Sequence, residues 1–553
     1  MILKHKLAEI LEKAVIQAQQ RGLIVFTTLP EVIIEHPQNS EHGDYASSLP
    51  LRLARATEMA PMAIAEKIVE LMPSMPEIAQ IVSVSPGFIN FSLSSDWLAK
   101  QVEVILDAGD SYGSINLGGG SSVQIEFVSV NPTGPLHVGH GRGAVLGSTL
   151  ANVLSIAGYV VEKEYYINDA GSQLDAFSRS LYVRYQQCFG INVVMPSDGY
   201  LGGYMVDLAK VIIGSEGDRF LKLSEEAAIK ELETIGISEI MDMIRHDLEL
   251  LRVEFDVWFS EQSVYRDGQY EKAMRLLRDG DYITEKEKAS WFASSALGED
   301  KDSVLIRSDG SPTYFASDIA YHFNKFLERQ FDSVVDIWGA DHQGHVPRMK
   351  AVVSALGIAP ERLKVIICQL VTLRRGTEIV RVSKRSGDLI TLREVIDEVG
   401  SDACRFFFLS RSANSQMDFD MELARKQSSD NPVYYVQYAH ARIASILRLA
   451  EENGIDYSQG DVSLLTAEPE LSLIRQMILL PEIVETVASA LEPHHLPYYA
   501  QDLATVFHSF YKQCRVISKD QAQTLARLKL VKATQIILAR TLHLMGMTAP
   551  EVM

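Results

Sequence analysis

Apolar and polar positions alternate from Val123 to Phe127. Val123, Ile125 and Phe127 face one way and Gln124 and Glu126 the other, which is the period of a β-strand. Asn131-Pro132-Thr133-Gly134-Pro135 then breaks the strand, because proline lacks an amide donor and glycine admits unusual dihedrals. From Val138 the period changes. Val138, Val145, Leu146, Thr149, Val153 and Ile156 recur at near-helical spacing. The stretch predicts strand, tight turn and helix, with His137 and His140 in the first helical turn.

The same reading extends along the chain. Residues 2–21 carry one apolar helical stripe, and SLPLRLARA opens a second helical stretch to about Met72. SVSPGFINFSLS (83–94) alternates like a strand after a Pro-Gly turn, so the first 110 residues predict an α+β domain. The glycine-rich run from Tyr112 to Ser121 reads as a linker. Strands are predicted at 123–127, 159–169, 303–307, 334–338 and 363–371, alternating with helical patterns. That alternation implies an α/β doubly wound parallel sheet over 120–400, which binds ligands at the carboxyl ends of its strands. Residues 172–300 read as an insertion between its two halves. Tyr314, Asp318 and His322 stand four apart and share one helical face. From 401 to 553 the pattern is helical throughout, with Val433, Val436, Ala439, Ile443, Ile446, Leu447 and Ala450 on one stripe.

Length and composition then set limits. A chain of 553 residues exceeds one ordinary core and predicts three or four domains. An apolar content of 47% with 22% charged residues describes a soluble globular protein. No apolar segment is long enough to span a bilayer, and Lys4, Lys6, Glu9, Glu12 and Lys13 interrupt any signal-like run. Cys188, Cys368, Cys404 and Cys514 lie far apart without a CxxC, which excludes a zinc ribbon and suggests reduced thiols in the cytosol. The net charge of −20 argues against indiscriminate nucleic-acid binding, DNA included. A local basic groove remains compatible with it, because charges are screened over about 8–10 Å.

The chemistry concentrates at the strand–turn–helix. A helix N-terminus offers unpaired N–H groups and partial positive charge, which together hold anions. His137 and His140 are three apart, and Gly139 between them lets a flat ring lie against the backbone. Two imidazoles there suit a triphosphate attacked at its α-phosphorus. A metal pair or plain capping are the other readings of the two histidines. For Asp341, just past a strand, ribose hydroxyls and a helix N-cap are alternatives, and His42 and Asp44 read equally as a turn and a cap.

EFVSVNPTGPLHVGHGR resembles the signature of class I aminoacyl-tRNA synthetases, and among them the arginyl family. The family's ATP-binding HxGH motif falls on His137, Gly139 and His140. RVSKRSG resembles the second signature, KMSKS, in a degenerate form: Ser383 and Lys384 match, while Arg381 and Val382 replace Lys and Met. The resemblance implies ATP contacts at Pro135, His137, Gly139, His140, Gly339, Asp341, Val382, Ser383 and Lys384, with His137, His140 and Lys384 stabilising charge. It implies an arginine pocket of Glu126, Asn131, Tyr314, Asp318 and Gln343, with Asp318 as partner of the guanidinium. HGDYAS, at His42 to Ser47, resembles part of the family's extra N-terminal domain, which implies tRNA contacts at His42 and Asp44. The helical C-terminal part resembles its anticodon-binding domain, where Tyr434, Tyr435, Tyr438 and Tyr511 are candidates for base stacking. Further implications are a cytoplasmic monomer using L-arginine, tRNA(Arg) and ATP with Mg2+ but no zinc, and tRNA binding before the adenylate forms. Another adenylating ligase with an HxGH site, or a non-catalytic tRNA-binding relative, are the competing readings.

Overall fold

Five parallel strands lie side by side in the order Leu363–Cys368, Ser333–Gly339, Ser122–Glu126, Val160–Ile167 and Val257–Ser260. The computed structural model describes residues 2–169, 172–299, 301–380 and 390–553. Ser122–Glu126 holds the centre of the sheet. The chain winds outward from it on one side through 160–167 and 257–260, then returns to its other flank with 333–339. The strand order therefore reverses beside Ser122–Glu126, and a crevice opens at the carboxyl ends of the strands there.

Both faces of the central strand are covered, and this explains its composition. On one face the helix Val138–Ile156 packs so closely that a Cβ on Gly147 would lie 2.2 Å from the ring of Phe127. Only glycine allows that approach, and Phe127 is fully buried by it, a burial that contributes about 1.5–3 kcal/mol. On the other face Gln124 and Glu126 are buried beneath the helix Tyr314–Phe323 and the π-turn Asn324–Glu328 that follows it. Buried carboxylates need partners. Lys325 donates to Glu126 at 2.6 Å and to Asp336 at 2.8 Å, and Arg329 pairs with Glu164 at 2.6 Å.

The structure departs from the sequence reading at several elements. Ser303–Ile306 is a strand, but it pairs antiparallel with Ala289–Phe292 in a separate three-stranded sheet and does not enter the parallel one. Conversely, Val257–Ser260, inside the predicted insertion, returns to the parallel sheet as its edge. A short, fully apolar run does not say which sheet it will join. The continuous run 363–371 divides into Leu363–Cys368 and Val371–Arg375. Met417–Asp420, expected to be helical, pairs in parallel with Val371–Arg375. The helical stretch before Met72 is two helices, Leu49–Thr57 and Pro61–Val69, each with a proline near its start. The expected linker is docked on the body: Ile115, Gly118 and Gly120 donate backbone hydrogen bonds to Ile156, Ala157 and Gly158.

The N-terminal region is α+β, with a three-stranded antiparallel sheet in the order 45–47, 88–93, 78–84. It is tied to the C-terminal helices by polar contacts. Tyr45 donates to Glu482 at 2.8 Å, and Arg475 pairs with Asp44 at 2.7 Å. The helix Ser401–Leu409 is locked to the last helix by Arg405, which is fully buried. Its guanidinium donates to the carbonyls of Met545 and Leu251 and to the hydroxyl of Ser148.

Candidate active site

Directly after the central strand the backbone leaves the ordinary regions: Val128 has φ 71° and Ser129 φ 42°. Positive φ is costly for a β-branched residue, and such strain concentrates at functional sites. The break falls three residues before the expected one at Asn131. It turns the chain across the mouth of the crevice, so that Val128, Ser129 and Asn131 line two adjoining cavities.

The first cavity, of about 810 Å³, lies at the start of the helix Val138–Ile156 and is lined by Pro135, His137, His140, Gly339 and Asp341 among others. The sequence placed both histidines in the first turn; His137 is instead the N-cap and His140 the third helical residue. They close a reciprocal capping arrangement. The Gly139 amide donates to Nδ1 of His137, and the His137 amide to Nδ1 of His140, each at 3.2 Å. The two rings stack with centroids 3.5 Å apart. A Cβ on Gly139 would lie 3.2 Å from the His137 ring, so the flat ring accommodated at this glycine is its neighbour's.

This geometry decides the protonation state. Burial holds His137 below its usual value, and burial together with the facing His137 ring pushes His140 down to about 3. Both rings are therefore neutral near pH 7. Because each Nδ1 accepts from a backbone amide, each proton sits on Nε2. The result is two N–H donors beside a helix N-terminus, an anion-binding arrangement. The same two rings therefore cap the helix and present N–H donors.

The second cavity, of about 460 Å³, shares Gly339 and His342 with the first and is lined by Glu126, Tyr166, Glu261, Tyr314 and Asp318. The helix Tyr314–Phe323 carries Tyr314 and Asp318 on the face that meets it, as their spacing predicts. Burial pushes the Asp318 carboxyl up to about 7; His322 opposes this, while Glu126 and Glu261 add to it. Burial also raises Glu261, which is 3% exposed and accepts hydrogen bonds from Ser317 and Tyr166. Burial raises Glu126 as well, against the pull of the Lys325 ammonium. A cluster of carboxylates whose burial disfavours their charge is a site prepared for a cationic ligand.

Glu261 was missed by the sequence reading. Its only local signal is its place at the end of the edge strand Val257–Ser260, which had been assigned to the insertion. Gln343 is the opposite case. It is exposed and lines neither cavity. Ala340–His345 is a 3₁₀ turn, in which residues three apart eclipse, so His342 and His345 face the second cavity and Gln343 does not. Asn131 lines both cavities, its amide donating to Gln173 at 2.5 Å. Val382, Ser383 and Lys384 lie outside the described residues.

Away from the crevice, Tyr434, Tyr435, Tyr438 and Tyr511 line one cavity of about 380 Å³ in the helical region. Tyr434 and Tyr438 stack with centroids 5.9 Å apart, and the Arg442 guanidinium lies 4.8 Å from the rings of both Tyr438 and Tyr511. His42 is exposed, whereas Asp44 is engaged within the fold by the Leu93 amide and Arg475. Among the described residues, the trio able to converge on a metal ion is Glu492, His494 and His495, where a turn leads into the helix His495–Gln513.

Comparison with known proteins bears directly on this site. The family described as the catalytic domain of class I (R) tRNA synthetases matches residues 101–418. The arginyl tRNA synthetase N-terminal domain matches 1–93 and the DALR anticodon-binding domain 436–553. The chain belongs to the arginyl-tRNA synthetase family. It is 59% identical to the arginine–tRNA ligase of Dehalococcoides mccartyi over 553 residues, covering 100% of this chain and 99% of that one. Identity to the arginine–tRNA ligase of Heliobacterium modesticaldum is 49% over 530 residues, covering 95% and 94%. The fold resembles that of the Thermus thermophilus arginyl-tRNA synthetase, with a TM-score of 0.79, 22% identity and full coverage of both chains. Within the class I synthetase fold, the HxGH histidines thus stand beside the reversal point of the parallel sheet, and the carboxylate pocket opens next to them.

Proposed function

We propose that this chain activates L-arginine with ATP and transfers it to the terminal ribose of tRNA(Arg). The observation that carries the reading is the pair of cavities sharing one wall, with neutral imidazole donors in one and a carboxylate cluster in the other. ATP occupies the first. The Nε2–H groups of His137 and His140 and the helix N-terminus hold its phosphates, and Pro135, Gly139, Gly339 and Asp341 border the nucleotide. Arginine occupies the second. Asp318 and Glu261 take the guanidinium, a planar fork of donors that keeps its charge, and Tyr314 closes the outer wall. Glu126 and Asn131 receive the α-ammonium end at the shared wall, which directs the arginine carboxylate towards the first cavity.

The carboxylate then attacks the α-phosphorus in line, forming arginyl-adenylate and releasing pyrophosphate. A ribose hydroxyl of tRNA attacks the adenylate carbonyl and AMP leaves. No protein nucleophile takes part; positioning and charge stabilisation do the work. Mg2+ accompanies the triphosphate and neutralises phosphate charge, in keeping with its binding through substrate phosphates more than through protein cages. The second-signature residues Val382, Ser383 and Lys384 are assigned to the nucleotide by motif alone. Three domains, 1–110, 120–400 and 401–553, divide the tasks, and the chain works as a cytoplasmic monomer. The aromatic cavity of Tyr434, Tyr438, Tyr511 and Arg442 receives an unpaired tRNA base by stacking.

The test is ATP–pyrophosphate exchange with arginine, lysine and citrulline, with and without tRNA(Arg). Exchange with arginine and less than about 10⁻⁴ of that rate with citrulline is expected, since a pocket built on hydrogen bonds rejects ligands that leave it unpaired. Exchange without tRNA would remove the tRNA-first order, and equal exchange with citrulline would remove the pocket assignment.

A further inference from the structure

Among the described residues, Lys325 is the only lysine among the fully buried large side chains, at 0% exposure, and it stands one layer below the amino-acid pocket. Its ammonium contacts Glu126 Oε2 at 2.6 Å and Asp336 Oδ1 at 2.8 Å, and lies 4.1 Å from the centroid of the Tyr321 ring. The position follows from the helix itself. Asp318, Tyr321, His322 and Lys325 are spaced i, i+3, i+4, i+7 and share one face, with Asp318 at the pocket and Lys325 seven residues deeper. There the helix widens into the π-turn Asn324–Glu328, a feature that often accompanies functional sites.

His322 closes the arrangement. One of its ring nitrogens contacts Asp336 Oδ2 at 3.0 Å and the other the Asp318 carbonyl at 2.8 Å, so Asp336 is held from both sides. Glu126 differs. It lines the pocket, and Lys325 is the cation that meets it from below. Without that ammonium, Glu126 would be a buried carboxylate between Asp318, Asp336 and Glu164, and it would protonate or turn away.

We propose that Lys325 is a positioning residue for amino-acid recognition, holding the Glu126 carboxylate ionised and oriented at the shared wall of the two cavities so that it can receive the α-ammonium of the substrate. It touches neither arginine nor ATP and acts through Glu126. Lys325 also sets the charge of the pocket. It offsets one of the three lining carboxylates, and the side-chain specificity then rests on Asp318 and Glu261. The inference builds on the assignment of this cavity to arginine.

The experiment compares Lys325→Met, Glu126→Gln, the double variant and Asp318→Asn in tRNA-dependent ATP–pyrophosphate exchange, with KM measured separately for arginine and ATP. Lys325→Met is expected to raise KM for arginine about ten-fold or more while KM for ATP moves less than about two-fold. Because Lys325 acts through Glu126, the double variant should match Glu126→Gln within about three-fold in KM for arginine. Multiplying effects in the double variant, or parallel changes in both KM values and kcat, would overturn the proposal. Should Lys325→Met not fold, the comparison of Glu126→Gln with the double variant, which leaves no unpaired charge at Glu126, still decides it. Asp318→Asn separates the two levels. If it raises KM for arginine and Lys325→Met does not, the positioning role alone falls; if neither does, the arginine pocket falls with it.

Discussion

Protonating Asp318 should weaken arginine binding in a narrow and calculable pH window. Burial pushes its carboxyl up to about 7, with Glu126 and Glu261 adding to the rise and His322 opposing it. A guanidinium binds the ionised form only, so the apparent dissociation constant is the intrinsic one divided by the ionised fraction. The sign follows directly: binding is full above the raised value and is lost as pH falls through it. With a value of about 7, binding is about eleven-fold weaker at pH 6 than on the alkaline plateau, about two-fold weaker at pH 7 and within about 10% of it at pH 8. His137 and His140 of the first cavity lie below this window, since burial lowers His137 and brings His140 down to about 3. Isothermal titration of arginine into the protein without nucleotide, at pH 6, 7 and 8 and in buffers of different ionisation enthalpy, reads both the affinity and the proton released. Asp318→Asn is the control. It should lose about 2–5 kcal/mol of arginine binding and most of the pH dependence, keeping only the part that Glu261 and Glu126, also raised by burial, contribute. A dissociation constant flat from pH 6 to 8, or the same slope in Asp318→Asn, would refute the reasoning.

Other expectations follow from the same geometry. Replacing His140 by alanine removes one phosphate donor and the cap on the His137 amide; kcat for pyrophosphate exchange should fall about 10²–10³-fold while arginine affinity in titration stays within about two-fold. Arg405→Met leaves the carbonyls of Met545 and Leu251 without their donor in a fully buried place. Thermal unfolding should show a loss of about 3–5 kcal/mol with no selective change in KM for arginine. Tyr438→Ala should raise KM for tRNA by a factor equivalent to about 1–3 kcal/mol and leave KM for ATP unchanged in aminoacylation assays. Arg475→Ala, by contrast, breaks a pair that is part-exposed and should cost under about 1 kcal/mol in unfolding.

The sequence by itself determined the strand–turn–helix from Val123 to Ile156, the HxGH histidines and the shared face of Tyr314 and Asp318. Each is a local matter: hydrophobic period, turn residues and i, i+4 spacing are read within one element, and folding moved only the edges, the break to Val128 and His137 to the N-cap. The second-signature loop was legible only as a motif, and its residues lie outside those described. Tertiary structure decided the rest. Whether an apolar run such as Ser303–Ile306 or Val257–Ser260 joins the parallel sheet depends on which neighbour offers a free edge, and strands of that length carry no label for it. Glu261 became a pocket residue through that choice, and Gln343 left the pocket because its turn is 3₁₀. The pairing of Glu126 with Lys325, 199 positions away, needed the sheet and the helix above it to meet. Spacing along the chain places side chains on faces, but only the packing of those faces sets the distances and the burial from which charge and specificity arise.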